Sequence, residues 1–472
     1  TLAHQLFQAN PGNPMITFLL SLVFSALPSA HPQGAPAESP DDLREKDRKT
    51  RKIQLLRERS ERIGKHIAKI RGLPFKGPVK KGIQNKQELR KYMQEMMQRK
   101  QPKEKMDALA RAYAMVGLMP RGIDLSKLVL DLLQQQVAGF YDPETKALYL
   151  INEWSISQTS IISHELMHAL QDQHFDLLSL PMEDEKREDV MNAVRCVIEG
   201  EGMLMMFLYV ADKDADVGAF ETLLGEGYKS YITALNRGME FEFKEDSFLS
   251  GLGMGGLANV PRVIKESLIL PYMAGLVFVH RAWKKGGWQG VNDLYQDMPQ
   301  STEQILHIEK YFGERDRPTI IEIKQPEKLV PEGCKLIYQS ILGELYISVL
   351  MRDILANQAS KKTWEGWDGD LYLAFHHPET NKEICLWSTV WDSERDAQEF
   401  ALQYGLAETV REKLKPEKGV ESAMVIKGNE VFIARGHLPQ KSLTEVLGRL
   451  QKARVLKEAE LIKSKGKVAP KN

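Results

Sequence analysis

The stretch His164-Glu165-Leu166-Met167-His168 decides how the rest of the chain is read. Ile161, Ile162, Leu166 and Leu170 around it fall at helical spacing, and Ser155 or Ser157 can cap the helix they imply. Residues four apart on a helix share a face, so the two imidazoles point the same way and can share one zinc ion. Glu165 stands beside them as a group able to take and return a proton. The pattern predicts a zinc helix running to about His174.

A hydrolytic zinc site normally has three protein ligands and leaves the fourth place to water. His174 has the spacing of the last histidine in the metzincin motif HExxHxxGxxH. That motif needs a glycine where this chain has Gln171, set among good helix formers, so an unbroken helix carries His174 away from the first two imidazoles. A better third ligand lies on the next expected helix, Asp189 to Tyr209, which contains Glu199-Gly200-Glu201-Gly202. Two glycines inside a helix cost roughly 1 kcal/mol each against alanine, and close approach to a neighbouring helix is a physical reason for them. Glu199 and Glu201 are offset by roughly 200° on a helix, so both cannot reach one ion. Glu199 is preferred, with Glu201 as its competitor. An oxyanion donor is also required; His307 and then Tyr272 are the candidates, and Asp172 is a candidate to orient a ligand histidine.

Upstream, Val137 to Ile151 places two apolar runs around Asp142-Pro143-Glu144-Thr145-Lys146, a turn composition that predicts a β-hairpin. Its edge could pair with an extended peptide, or it could be purely structural. Leu125, Leu128, Leu132 and Leu133 predict an amphipathic helix before it. Residues 43 to 105 are basic by roughly three to one, with Ile53, Leu56, Ile63, Ile67 and Ile70 at helical spacing. They are expected to form a solvated helical subdomain, with a pro-segment or an anionic-surface binder as the functional readings. The uncharged run 16–27 reads as the core of a secretory signal, with Met15 as the expected start of the natural frame and cleavage near Ala30 or Ala37. A Pro- and Ala-rich linker follows.

Downstream, residues 211 to 260 carry little pattern and Gly251 to Gly256 reads as a loop, while Leu268 to Trp283 predicts an apolar helix stopped by Gly286-Gly287. Ser301-Thr302-Glu303-Gln304 is a capping box opening a helix that carries His307. Beyond Pro318 come a helix at 343–355, short strands at 371–375, 384–388, 423–426 and 431–434, and helices at 392–404 and 442–457. Trp364 to Asp370 and His376-His377 resemble metal-binding stretches, but turn chemistry and surface histidines account for both.

Lys plus Arg and Asp plus Glu each number 64, and this balance gives no support to a nucleic-acid partner. The three cysteines, Cys196, Cys334 and Cys385, include no CxxC pair, which removes thiolate zinc ribbons and thioredoxin-type chemistry; Cys334 and Cys385 could pair in an exported protein.

The set His164-Glu-Leu-Met-His168 with Val197-Ile-Glu199-Gly200 resembles the gluzincins, in which HExxH is followed by a helix supplying a glutamate ligand, and the Glu-Gly step is similar to that of gluzincin aminopeptidases. Gln136 to Pro143, His164 to Leu177, Glu199-Gly200, Ser301 to His307 and Gly366 to Asp370 together resemble a family of bacterial exported metallopeptidases. The resemblance implies zinc-dependent hydrolysis of peptide bonds, with His164, His168 and Glu199 on the metal and Glu165 as general base. The alternative is an exported binding or scaffold protein with a structural zinc site.

The expected fold is α+β. It comprises a signal segment at 1–30, a linker at 31–42, a basic helical region at 43–118, and a mainly helical zincin-like domain at 119–320. A small α+β domain at 321–457 and a frayed basic tail at 458–472 complete it. The expected partner is a peptide or protein substrate. The location is periplasmic or secreted, with no stable membrane span once the signal is removed.

Overall fold

A computed structural model of the chain describes residues 40–136, 139–151, 159–214 and 260–466. The apolar run 16–27, the two candidate capping serines and the glycine-rich 251–256 lie outside these residues.

The N-terminal part is built from helices around a small sheet. In chain order it comprises α1 (Pro40–Arg71), β1 (Lys80–Gln84), α2 (Lys86–Lys100), α3 (Lys103–Val116), α4 (Leu125–Gln136), β2 (Gly139–Asp142) and β3 (Ala147–Ile151). Then come α5 (Thr159–Phe175), α6 (Glu188–Asp214), α7 (Arg262–Leu294), and two short helices, α8 (Thr302–Leu306) and α9 (Glu309–Phe312). The hairpin forms as expected, β2 antiparallel to β3. Helix α5 carries the HExxH pentad without a break through Gln171. Helix α7 is longer than expected at both ends and bends at Gly286-Gly287, where Gly287 takes φ +57°. It is apolar and long enough to cross a membrane, yet its apolar window is spent on the protein core, mostly buried within the protein.

The basic region at 43–118 is not a separate solvated subdomain. Strand β1 pairs in parallel with β3, in a sheet ordered β1-β3-β2. Leu56, Ile63 and Ile67 of α1 are buried in the same core as Leu166 and Leu170 of α5. The loop after α1 is pinned to the end of α5, because Gln173 Oε1 accepts the Lys76 N–H (2.6 Å) and Gln173 Nε2 donates to the Gly77 carbonyl (3.0 Å). Helix α1 also starts at Pro40, inside the stretch expected to be linker. The charge bias explains the error: basic side chains cover the outer face of α1, while its isoleucines, read as a minor stripe, are core.

The C-terminal part contains β4 (Thr319–Glu322), β5 (Lys335–Ser340), α10 (Gly343–Leu355), β6 (Trp367–His377), β7 (Lys382–Trp391), α11 (Glu394–Leu414), β8 (Glu421–Lys427), β9 (Glu430–Gly436), α12 (Gln440–Ala453) and β10 (Val455–Glu458). Five strands form one antiparallel sheet, ordered β5-β6-β7-β9-β8. Side chains alternate between its faces as the two-residue period requires. Leu371, Leu373 and Phe375 of β6 join the core under α12, whereas Tyr372 and Ala374 face the larger core that includes Phe400 and Tyr404 of α11. The chain is thus an α+β fold with a helical part and a sheet-based part.

Two smaller expectations are corrected here, and two open points are settled. Residues 455–458 form a strand on β4 and not the end of a helix. The tail is tied down as far as it is described: Ser464 N–H donates to the Tyr295 carbonyl (2.8 Å), Met298 N–H to Ile462 O (2.8 Å), and Lys465 N–H to Ser179 Oγ (3.0 Å). All three cysteines are free, including Cys334 and Cys385. Asp370 does not await a metal, since it accepts the Leu342 and Gly343 N–H groups (2.9 and 2.8 Å) and the Trp367 indole (2.9 Å).

Helices α6 and α7 approach closely where Gly200 meets Gly275: a Cβ on Gly200 would strike the Gly275 carbonyl, and one on Gly275 the Cys196 carbonyl. Backbone cannot yield as a side chain can, so Gly275→Ala is expected to cost about 1–3 kcal/mol. Gly448→Ala on α12, where nothing lies within 4 Å, is expected to be neutral or to stabilise by up to about 1 kcal/mol. Urea midpoints of the two variants measure the difference.

Candidate metal centre

Helix α5 delivers His164 and His168 one turn apart, and α6 packs beside it with Glu199 facing them. The His164 and His168 Nε2 atoms lie 3.0 Å apart, His164 Nε2 is 3.2 Å from Glu199 Oε2, and His168 Nε2 is 3.4 Å from the same oxygen. All three side chains are buried. Three acceptor atoms converging in a dry site need protons or a cation between them. These residues therefore form a group that could hold a metal ion.

The electrostatics of the metal-free group follow the same logic. Burial alone would raise Glu199, but His168 and His164 beside it hold its carboxyl down at about 2. Burial would lower His168, yet the Glu199 carboxylate lifts its imidazole to about 9. His164 is lowered, first by burial and then by His168. The proton is thus shared unequally, with His168 carrying it against ionised Glu199.

Glu165 faces the hairpin. Its Oε2 accepts the Tyr141 N–H of β2 at 2.8 Å, while its buried Oε1 has no hydrogen-bond partner among the described residues. Burial, with Glu199 adding to it, pushes the carboxyl up to about 8 in the absence of metal. Strand β2 is the outer strand of its sheet, but all four of its residues are buried and its Tyr141 N–H is spent on Glu165. That edge is accordingly a holder for Glu165 and is not open for a peptide strand.

Glu201 is not a competitor for the metal. It is buried and spent on other partners: Arg71 Nε donates to its Oε1 (2.5 Å) and the Tyr295 hydroxyl to its Oε2 (2.5 Å). Arg71 also bonds Asn292 Oδ1 (2.7 Å) and lies 4.6 Å over the Trp288 ring. His174 donates through Nε2 to the Pro74 carbonyl at 2.7 Å and takes no part in the group. Asp172 does not orient a ligand histidine: it accepts the Tyr141 hydroxyl and pairs with Lys146, both at 2.7 Å. The residue that does contact His168 is Gln171, whose Oε1 lies 2.8 Å from His168 Nδ1.

The two candidate oxyanion donors separate. Tyr272 of α7 is buried with its ring 6.2 Å from that of His164. Burial first, then the Glu199 and Glu165 carboxylates and a hydrogen bond to Glu199, hold its phenol well above the ordinary value. His307 lies elsewhere. It ends α8 and bonds Glu344 Oε1 at 2.8 Å. The start of α8 is anchored to Asp189 through the Thr302 N–H (3.0 Å), and Asp189 lies about 15 Å along α6 from Glu199 at 1.5 Å per residue. The order of the two candidates is thereby reversed. The second acidic group, Glu303, Asp316 and Asp392, encloses Lys310, which pairs with all three at 2.6–2.8 Å.

Removing one partner of a buried ion pair leaves the other charge uncompensated. Arg71→Leu is expected to destabilise the protein by about 3–5 kcal/mol, and Arg71→Leu with Glu201→Gln to recover part of that loss. Chemical denaturation of the single and double variants measures both.

Residues 336–446 match a family described only as a domain of unknown function, DUF8575. The match covers α10, α11, the first half of α12 and the five-stranded sheet except its first residue, and none of the metal-site residues falls within it. No curated protein and no solved structure gives a significant match.

Proposed function

We propose that the chain is a zinc-dependent peptidase of the gluzincin type, with His164, His168 and Glu199 holding the metal. The observation that carries this reading is the spacing of the three donor atoms, 3.0, 3.2 and 3.4 Å. Ligand atoms about 2.0–2.1 Å from zinc at tetrahedral angles sit about 3.3 Å apart, so the three present one face of a tetrahedron. Two imidazoles and one carboxylate suit zinc and leave a fourth position, as a hydrolytic site requires. When bound, the metal supplies an acidified water and polarises the substrate carbonyl.

The protein's own groups do the rest. Glu165 is held through Oε2 by the Tyr141 amide, which leaves Oε1 to take the proton of the attacking water and return it to the leaving amine. Tyr272, kept protonated by its burial and its carboxylate neighbours, donates to the oxygen on which negative charge develops. The Glu199 carboxylate stays ionised beside His168 and His164. Export, the remaining element of the reading, rests on the apolar run at residues 16–27.

One observation favours the alternative of a structural zinc site in a scaffold protein. His164, Glu165, His168 and Tyr272 are all fully buried, so a substrate reaches them only when their cover opens. Against it stands Glu165, a buried carboxylate with a spare oxygen that a purely structural site does not need.

The two readings part in one experiment. Glu165→Gln is expected to bind zinc like the wild type and to lose about 10²–10⁴ in the rate of peptide-library cleavage. His168→Ala is expected to lose both metal and activity, and Tyr272→Phe to lose about 10²–10³ in rate. Zinc-loaded wild type that cleaves no peptide, or a Glu165→Gln variant of full activity, would overturn the proposal.

A further inference from the structure

The Gln171 side chain sits between the metal group and the Arg71–Glu201 pair, and every bond it makes has a direction. It is fully buried on α5, three residues after His168 and therefore on nearly the same face. Its amide nitrogen lies 2.9 Å from the Ile198 carbonyl and 2.9 Å from Glu201 Oε2. Its oxygen lies 2.8 Å from His168 Nδ1.

Which end of a glutamine amide faces which neighbour is settled by the network around it. A backbone carbonyl can only accept. Glu201, ion-paired to Arg71 and receiving the Tyr295 hydroxyl, can also only accept. Two acceptors on one side require the NH₂ group there, so the carbonyl oxygen of Gln171 must face His168. An acceptor opposite Nδ1 requires that Nδ1 carry the proton. The lone pair of a neutral His168 is then confined to Nε2, the atom 3.4 Å from Glu199 Oε2 and 3.0 Å from His164 Nε2.

The geometry points to Gln171 as a positioning residue. Oriented by the Arg71–Glu201–Tyr295 triad, it fixes the Nδ1–H tautomer and the ring plane of His168 so that Nε2 is presented to the metal. The inference rests on the zinc reading above and adds to it a specific residue and a chain of cause reaching α1. His164 Nδ1 has no equivalent side-chain partner among the described residues; its edge abuts Gly202, where a Cβ would sit 2.9 Å away. The two ligand histidines are thus held by different means, His168 by a side-chain amide and His164 against the Gly202 backbone.

Zinc affinity, measured by competition with a chelator in the full chain, tests the assignment together with the ¹⁵N shifts of His168. Gln171→Met removes the acceptor and is expected to weaken zinc binding by about 10–100-fold, the usual effect of losing a ligand's hydrogen-bond partner. The pair Gln171→Glu with Glu201→Gln keeps an acceptor for His168 and a donor between the two positions, and is expected to restore affinity to near the wild-type value. In zinc-loaded wild type, His168 is expected to show a protonated Nδ1 and a metal-bound Nε2. Wild-type affinity in Gln171→Met, or zinc bound through His168 Nδ1, would overturn the inference while leaving the zinc reading intact. If Gln171→Met does not fold, the paired variant and the wild-type shifts decide. Wild type that takes up no zinc would sink the zinc reading itself.

Discussion

The burial of charge between α5 and α6 is the constraint on which the rest of the molecule depends. His164, Glu165, His168, Glu199 and Glu201 are all removed from water within a few turns of helix. An unpaired ion in such surroundings costs several kcal/mol, so each group dictates a neighbour. Glu201 requires Arg71, and Arg71 brings α1 against α5. Glu165 requires a donor, and the Tyr141 N–H places the hairpin beside it. Glu199 and the two histidines require protons or a cation. The glycines at 200, 202 and 275 let α6 come near enough for these demands to be met.

Seen this way, the basic N-terminal region and the C-terminal tail are parts of the site's support. Arg71 is the last residue of α1 and pairs with Glu201 on α6. Tyr295, which also holds Glu201, stacks on Phe175 of α5 at 3.7 Å and receives Ser464 N–H on its carbonyl. Segments from both ends of the described chain thus converge on one buried carboxylate. The five-stranded sheet contributes differently, by giving α10 and α11 a face to pack on.

Much of this was legible in the sequence, and the limits have physical causes. The pentad, the helix around it and the rule that only one of Glu199 and Glu201 can join it followed from helical geometry, because i to i+4 spacing and a 200° offset are local facts, but that geometry did not choose between the two glutamates. The hairpin followed from turn chemistry. The role of Gln171 was visible in principle, since three residues after His168 is the same face, but it was read only as a helix former replacing a glycine. Arg71 was not legible: it is one basic residue among many in its segment, and nothing local marks it as buried. His307 misled because its capping box was real while its place in space was set by Asp189 and Glu344, neither of which is near it in sequence.

The central claim is that one ion is held by His164, His168 and Glu199. Zinc-edge X-ray absorption on the metal-loaded protein, compared with the same measurement on Glu199→Ala and Glu201→Gln variants, tests it most directly. The account predicts one zinc per chain with two imidazole nitrogens and a carboxylate oxygen. It further predicts that this shell is unchanged in Glu201→Gln and loses its carboxylate in Glu199→Ala. A shell that survives Glu199→Ala, or that changes in Glu201→Gln to show a lost carboxylate ligand, would contradict it.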